Sequence, residues 1–268
     1  MSTTSPVAEA GRPATDPRNR SSAVRRVVAL TRANALLMVR NRLTLIYATV
    51  FPLVPMALLV ANPGDAETGV TAVVGVLFLA LLFPVYYNVL SLFVTRRDEL
   101  VLKRLRTGEA RDGEQLAALA LPGSAVALVI IVATIGVGAL FDLPLPANAP
   151  LFLVGGLLGI AIFVGLAFAT AAFTKTAEAA QITSLPVMVL ATVGTLVAAL
   201  PDSFARVVEW TPIAAMDALT RATWLDADGS IAMADTWRDA ADPLSVLVVW
   251  TVLAVVLGKR YLRWEPRA

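Results

Sequence analysis

The sequence predicts an all-α integral membrane protein with six transmembrane helices, and three observations support this. The chain has 268 residues, of which 57% are hydrophobic, and its mean hydropathy is +0.74. Its apolar residues come in uninterrupted blocks long enough to cross a bilayer, whereas a soluble helix would alternate them with polar residues. Its basic residues are concentrated in alternate connections between those blocks. We expect one compact membrane domain over residues 22–268.

The N-terminal segment divides into a tail and an amphipathic helix. Residues 1–21 are rich in Pro, Ser, Thr and Arg and lack the apolar core of a secretory signal, so we expect a disordered cytoplasmic tail. Over residues 22–41, helical spacing places Val27, Leu30, Leu37 and Met38 on one side, with arginines opposite. We expect this helix to lie along the inner membrane surface against anionic lipid.

Six apolar blocks have the length of a membrane span. They cover residues 43–61, 70–94, 116–141, 151–173, 182–200 and 244–262. The last block is the weakest because Lys259 and Arg260 interrupt it and must extend to the headgroups.

The positions of the basic residues predict the topology. Of the 22 Lys and Arg residues, only Arg206, Arg221 and Arg238 lie in the three connections assigned to the outside. Cytoplasmic connections retain positive charge, so both termini are expected to be cytoplasmic. The preference for arginine over lysine is typical of a bacterial gene of high GC content. We therefore expect a multi-pass protein of the bacterial cytoplasmic membrane.

The composition excludes several kinds of chemistry. The chain has no Cys and no His, which removes thiol nucleophiles and the usual zinc and haem ligands. The six blocks contain almost no ionisable residue, which argues against a proton-coupled carrier. None of the three lysines, Lys103, Lys175 and Lys259, lies in a P-loop pattern. We expect no catalytic residue, no bound cofactor or metal and no nucleic-acid partner, and any ATP must be hydrolysed by another chain.

Scattered polar and flexible side chains within two spans are candidates for a substrate pathway. They are Tyr87, Asn88 and Ser91 in the second span and Thr183, Ser184 and Met188 in the fifth. Hydroxyls and amides in spans more often bond to a neighbouring helix than to a substrate, so that alternative stays open.

The connection over residues 201–243 is long, acidic and rich in tryptophan. Between Pro212 and Trp224, the residues Ile213, Met216, Leu219 and Trp224 form an apolar stripe at helical spacing. We expect one or two short amphipathic helices resting on or dipping into the outer leaflet, with tryptophans at headgroup level. The alternative is a connection that only caps the bundle.

The charged segment between the second and third spans, residues 95–108, also has a helical pattern. Thr95 and Asp98 have capping-box spacing, which predicts that a new helix begins there. A narrow apolar ridge and several charges follow, predicting either a helix held by anionic lipid or one that docks in a groove of a cytosolic partner. The candidate residues are Arg96, Arg97, Asp98, Glu99, Val101, Leu102, Lys103, Arg104, Leu105 and Arg106.

The order of these elements, together with the local sequence RRDELVLKRLRTG, resembles the type-2 permease family of ABC transporters. In that family a Glu followed by Leu-Lys-Arg-Leu lies on the first cytoplasmic loop. The resemblance implies that Glu99 and residues 102–105 form the coupling helix, which receives the motion of an ATPase. The family often has Gly-Thr where this chain has Leu100 and Val101.

The resemblance further implies partners and a function. Two separate ATPase subunits would bind ATP and Mg²⁺, and a second permease copy, identical or different, would complete the membrane dimer. Short helices before the last span would gate the exit, with Trp210, Met216 and Trp224 as candidate gate residues. The expected function is export of an amphiphilic drug, antibiotic or lipid-like compound. The alternatives are export of a lipid-linked glycan by the same mechanism, a stand-alone or ion-coupled carrier, and a non-transporting scaffold or immunity protein.

Overall fold

The computed structural model describes residues 17–62, 64–102, 111–224 and 233–262, and the regular elements of these ranges are all helical. For residues 17–22 and 233–235 only the backbone is described. The helices are α1 (Pro17–Arg40), α2 (Arg42–Thr49), a 3₁₀ helix (Phe51–Met56), α3 (Ala57–Ala61), α4 (Ala66–Ala80), a π-helix (Leu81–Tyr87), α5 (Asn88–Asp98), α6 (Asp112–Leu140), α7 (Ala149–Ala171), α8 (Ala179–Thr183), α9 (Leu185–Thr195), a 3₁₀ turn (Val197–Ala199), α10 (Asp202–Val208), α11 (Pro212–Trp224), α12 (Met233–Asp239) and α13 (Ala241–Tyr261).

Helix α1 starts five residues before the predicted boundary and packs along α6. Within it Asn34 and Met38 are buried, whereas Val24, Val28 and Leu36 are exposed beside the arginines. The buried face therefore includes a polar side chain, and the exposed face is partly apolar. The first 16 residues of the predicted tail lie outside the described residues.

Proline breaks the regularity of the first two predicted spans. Pro52 and Pro55 lie in the 3₁₀ segment that separates α2 from α3. Pro84 lies in the π-helix that separates α4 from α5. A proline has no N–H to give to the helix ladder and its ring displaces the preceding carbonyl, so the backbone changes its hydrogen-bonding period around it.

Before α4, the Asp65 carboxylate accepts hydrogen bonds from the Thr68 backbone N–H and from the Thr68 hydroxyl, which lowers the pKa of Asp65.

Helix α7 lies at the centre of the bundle and packs most extensively against α13. A Cβ on Gly165 would lie 2.7 Å from the backbone carbonyl carbon of Ala254, so the two helices approach at backbone distance. On another face, Gly155 and Gly159 leave room for the side chains of Leu219 and Met216 from α11. Small residues in α7 thus allow two neighbours to pack closely.

Among the residues that the structure describes, five helical segments are long and apolar enough to cross a membrane. They are Arg42–Ala61, Ala66–Asp98, Asp112–Leu140, Ala149–Ala171 and Ala241–Tyr261. The fifth predicted span, residues 182–200, is instead the pair α8 and α9, which is shorter and divided at Ser184. Its residues 179–195 give about 25 Å of helix at about 1.5 Å per residue. The count of six spans stays a prediction.

Contacts define two ends of the bundle. At one end, which we call the Arg97 end, α5 meets the end of α7 and the Phe173 ring lies 5.8 Å from the Tyr261 ring. At the other, the Trp224 end, the Trp224 indole donates to the Pro144 carbonyl and Asn148 donates to Thr236. The pair α8 and α9 runs from the first end to the second, where Gly194 contacts Thr211.

Helix α11 was expected to rest on or dip into the outer leaflet. Its residues are almost all buried, and it packs against α7, α13 and α9. Its apolar stripe fits the space above Gly155 and Gly159, so protein rather than lipid covers it. A helix resting on the leaflet surface is therefore not what forms, because sequence spacing shows which face is apolar but not what covers that face.

Candidate functional site

The segment between α5 and α6 begins with an exposed turn. Helix α5 ends at Asp98, Leu100 has a φ of +58°, and residues 101 and 102 are helical again. Thr95 therefore lies inside α5, and the predicted capping box does not begin a helix. A residue in the left-handed region ends a helix by turning the chain, and glycine usually occupies that position. We call Asp98, Glu99 and Leu100 the coupling turn.

Only part of the predicted coupling segment is exposed. Asp98, Glu99 and Leu100 face away from the protein, with Leu100 43% exposed. Val101 is half-buried, and Leu102 is 1% exposed and belongs to this chain's own core. The expected ridge therefore cannot present Leu102 to a partner in this conformation. The predicted residues Lys103, Arg104, Leu105 and Arg106 lie outside the described residues.

Arg97 was expected to contact the partner, and this was wrong because its side chain is fully buried. Its guanidinium donates to the carbonyls of Ala171 (3.0 Å), Thr174 (2.5 Å) and Lys175 (3.1 Å) at the end of α7. Asp98 lies 3.8 Å away. The last carbonyls of a helix have no partner within it and carry the negative end of its dipole, so they suit a buried cation.

Arg96 faces α1 rather than a partner. Its guanidinium donates to the Asn34 side-chain oxygen at 3.4 Å, and the Asn34 amide nitrogen donates to the Ala118 carbonyl of α6 at 2.9 Å. Nearby, Arg26 makes a two-pronged ion pair with Glu114, with both N–O distances 2.9 Å. Polar bonds thus hold α1 against α5 and α6 at the Arg97 end.

A cavity of about 670 Å³ opens between these elements. Its wall combines apolar, aromatic, hydroxyl and amide side chains, and among the described residues none of the lining side chains is charged. The lining residues are Asn34, Leu37, Met38, Asn41, Leu43, Thr44, Tyr47, Ala48, Phe83, Tyr87, Asn88, Ser91, Leu92, Thr95, Gln181, Ser184 and Met188. The volume falls in the range of sites for drug-sized ligands, about 300–1,000 Å³.

Five of the six candidate pathway residues meet in this cavity: Tyr87, Asn88, Ser91, Ser184 and Met188. Tyr87 is the last residue of the π-helix, Asn88 and Ser91 follow in α5, and Ser184 and Met188 lie at and after the break between α8 and α9. The amide nitrogen of Asn88 is buried without a hydrogen-bond partner in the described part of the chain. Whether a substrate passes this cavity stays a prediction.

Thr183 does not line the cavity. Its hydroxyl bonds to the Thr174 hydroxyl at 2.7 Å and to the Ala179 carbonyl at 3.0 Å. This is the interhelical bonding that the sequence analysis kept as the alternative.

Helices α1 and α2 also contribute to the cavity, and none of their residues was predicted to do so. Asn34, Asn41 and Tyr47 line it, and the Tyr47 ring stacks on Phe83 at 6.0 Å. A signal existed for Asn34, which falls among Val27, Leu30 and Met38 on the apolar side of its helix. A polar residue on a buried face needs a partner or a cavity.

The candidate gate residues occupy different environments at the Trp224 end. Trp224 is 1% exposed, its ring meets Phe152 edge-on at 5.2 Å, and its N–H donates to the Pro144 carbonyl. Met216 is buried beside Gly159. Trp210 is 67% exposed, and its carbonyl accepts from Trp250. Trp224 is therefore a core residue rather than a side chain at headgroup level.

An ionic clasp joins α11 to α4 at the same end. Arg221 pairs with Asp217 one turn earlier at 2.8 Å and with Glu67 of α4 at 2.8 Å. It also donates to the Thr71 hydroxyl at 3.2 Å.

Within the described ranges, no group of three or more acidic or histidine side chains could hold a metal ion.

Comparison with protein families identifies the chain's relatives. The profile of the ABC-2 type transporter family matches residues 25–216, which is most of the chain. The chain belongs to the ABC-2 type transporter family. It is thus a membrane permease component of such a transporter, as the resemblance of its sequence predicted. A search of individually curated proteins gave no match.

Proposed function

We propose that this permease is the membrane subunit of an ATP-driven exporter for an uncharged amphiphilic compound. Its energy comes from separate ATPase subunits that dock at the coupling turn. The observation that carries the proposal is the uncharged cavity at the Arg97 end, beside that exposed turn, in a chain of the ABC-2 family.

The chemistry of the cavity favours an amphiphile. Tyr47, Phe83 and Tyr87 offer aromatic faces, while Asn88 and Gln181 offer amides. A polyanion would need positive charge in the wall, because burying a charge without a partner costs at least about 2 kcal/mol. An amphiphile instead loses little hydration and gains apolar contact.

The rim of the cavity suggests a route from the inner leaflet. Leu37 and Leu43 line it and are themselves exposed, where α1 gives way to α2. A compound dissolved in the leaflet can enter beside them without crossing water. The partner of the exposed coupling turn is then the ATPase, two copies of which bind ATP and Mg²⁺ and act on a permease dimer.

Transport into inside-out membrane vesicles tests the proposal. With a lipophilic fluorescent dye as probe, uptake should require hydrolysable ATP and should fall when Glu99→Arg reverses the charge of the coupling turn. Asn88→Leu should lower the affinity for the dye, whereas Asn62→Leu, a matched change at the Trp224 end, should not. Uptake driven by an ion gradient without ATP, in vesicles lacking any ATPase, would show a stand-alone carrier instead.

A further inference from the structure

Arg97 connects the coupling turn with the wall of the cavity that α8 and α9 form. It immediately precedes the turn, and its guanidinium binds three carbonyls where α7 ends. A fully buried guanidinium is retained only when its N–H groups find acceptors, and here the acceptors belong to a different helix. The position of the turn is thus fixed relative to α7.

The contact continues from Arg97 to α8. Thr174, whose carbonyl accepts from Arg97, bonds through its hydroxyl to Thr183 of α8 at 2.7 Å. The same Thr174 hydroxyl donates to the Thr170 carbonyl, and the Thr170 hydroxyl accepts from Tyr86. Helices α8 and α9 supply Gln181, Ser184 and Met188 to the cavity. One buried network therefore joins the turn to that wall.

The wall formed by α5 is directly continuous with the coupling turn. Asn88, Ser91 and Thr95 of α5 line the cavity, and α5 ends at Asp98. A force applied to the turn reaches this wall along one helix. Direct contacts between α5 and α8 are few, so the bonds of Arg97 and Thr174 supply much of the connection between the turn and α8.

We propose that Arg97 is a positioning residue that makes the coupling turn, the end of α7 and the α8–α9 wall move as one unit. This inference rests on the proposed docking of an ATPase at the turn. It assigns to a buried arginine the step between ATP-driven movement and the change in cavity shape.

The rigidity of the unit can be measured on the permease alone. The chain has no cysteine, so Glu99→Cys with Glu178→Cys places two spin labels on exposed sites at either side of Arg97. In lipid nanodiscs, double electron–electron resonance should give a narrow distance distribution. Arg97→Met, which keeps length without donors, should broaden it, and the neighbouring change Arg96→Met should not. An unchanged distribution in Arg97→Met would overturn the proposal.

A milder variant covers the case in which Arg97→Met fails to fold. Thr174→Val removes the hydroxyl that bonds Thr183 but keeps the carbonyl that accepts from Arg97. It should broaden the same distribution while the thermal unfolding profile keeps its native shape. A narrow distribution in this variant would contradict the α8 part of the network.

The complex with its ATPase separates coupling from mere structure. Labels at Asn62→Cys and Glu178→Cys report movement at the end of α7 relative to the Trp224 end. Vanadate trapping after ATP should shift this distance in the native complex. In Arg97→Met the shift should be lost while ATP hydrolysis persists. Joint loss of hydrolysis and shift would instead assign Arg97 to assembly and overturn the proposal.

Failure of the underlying function has a different signature. The proposed exporter is overturned if the native permease binds no ATPase. It is also overturned if the native complex shows no ATP-dependent shift at any label. The distance distribution of the isolated permease would still test the network around Arg97. The two failures are therefore distinguishable.

Discussion

At the scale of single residues, the site depends on positions where the backbone or a charge has an unusual environment. Leu100 takes a left-handed conformation that β-carbon atoms disfavour. Arg97 keeps its charge away from solvent by bonding the end of α7. Gly123 lets α6 reach the Pro84 carbonyl of the π-helix. Each exception supports the geometry of the coupling turn or of the cavity.

Leu100→Gly should stabilise the protein. A non-glycine residue in the left-handed region costs about 1–2 kcal/mol relative to its usual conformation, and glycine takes that conformation without this cost. The melting temperature in detergent should rise. Leu100→Ala removes the same side chain but keeps the Cβ, so it should not stabilise to the same extent. An equal rise in both variants would show that the exposed leucine side chain, rather than φ, is unfavourable.

Gly123→Ala should destabilise the protein by about 1–3 kcal/mol because of overpacking. The added Cβ would lie 1.8 Å from the Pro84 carbonyl oxygen, and a backbone atom can move away only if the helix shifts. Gly136→Ala is the control, since it lies in the same helix with no atom within 4 Å of the new Cβ. It should be neutral or stabilising through helix propensity, by up to about 1 kcal/mol. Thermal unfolding of both variants compares them directly.

At the scale of elements, prolines and polar contacts decide how the helices are arranged. The π segment at Pro84 contributes Phe83 and Tyr87 to the cavity wall, and the 3₁₀ segment at Pro55 packs against α4. Helix α1 is held by a charge pair and an amide rather than by a continuous apolar stripe. Polar bonds thus set the position of an element that hydrophobicity alone leaves free to lie on the membrane.

Arg26→Gln should loosen α1. It removes a two-pronged charged contact to Glu114 that is partly shielded from solvent, worth about 1–2 kcal/mol after allowance for exposure. Hydrogen exchange of the α1 backbone should then become faster. Arg25→Gln changes the adjacent exposed arginine and serves as control. Equal exchange in the two variants would mean that packing against α6 alone holds the helix.

At the scale of the whole molecule, the bundle has two ends with different contacts. The Arg97 end carries the coupling turn and the cavity, and the Trp224 end is closed by α11 and its clasp to α4. Helix α7 passes through the centre and contacts elements that serve both ends. Movement of the α7 terminus at Arg97 can therefore alter the packing of Met216 and Leu219 on Gly155 and Gly159.

Labelling of single cysteines should separate the two ends by membrane side. In intact cells, a membrane-impermeant maleimide should label Asn62→Cys and Glu209→Cys, which are exposed at or near the Trp224 end. It should label Glu99→Cys and Glu178→Cys only after permeabilisation. Since α8 and α9 connect Glu178 to the segment with Glu209, labelling of both on one side would refute six crossings. The cysteine-free parent chain gives the background.

Much of the architecture follows from local sequence. Long apolar blocks have to become helices in a membrane, because a backbone without water must satisfy its own hydrogen bonds. The observed helices α6, α7 and α13 accordingly lie close to their predicted bounds. The fourth predicted span has glycines at 155, 156 and 159, and the structure shows which neighbouring side chains pack against them. The resemblance to the ABC-2 permeases rested on the same local features and was confirmed by the family match.

What the tertiary structure decided is which side of each pattern faces protein. Periodicity predicted an apolar face on α11 and a charged surface at Arg97, but the first is buried against α7 and the second is enclosed by carbonyls of a helix 74 or more residues away. Such partners are distant in the chain, so no local window contains them. The sequence by itself determined which segments are helical and which family they belong to. The packing determined the cavity and the role of Arg97, because burial of a polar group depends on acceptors that only the folded chain brings together.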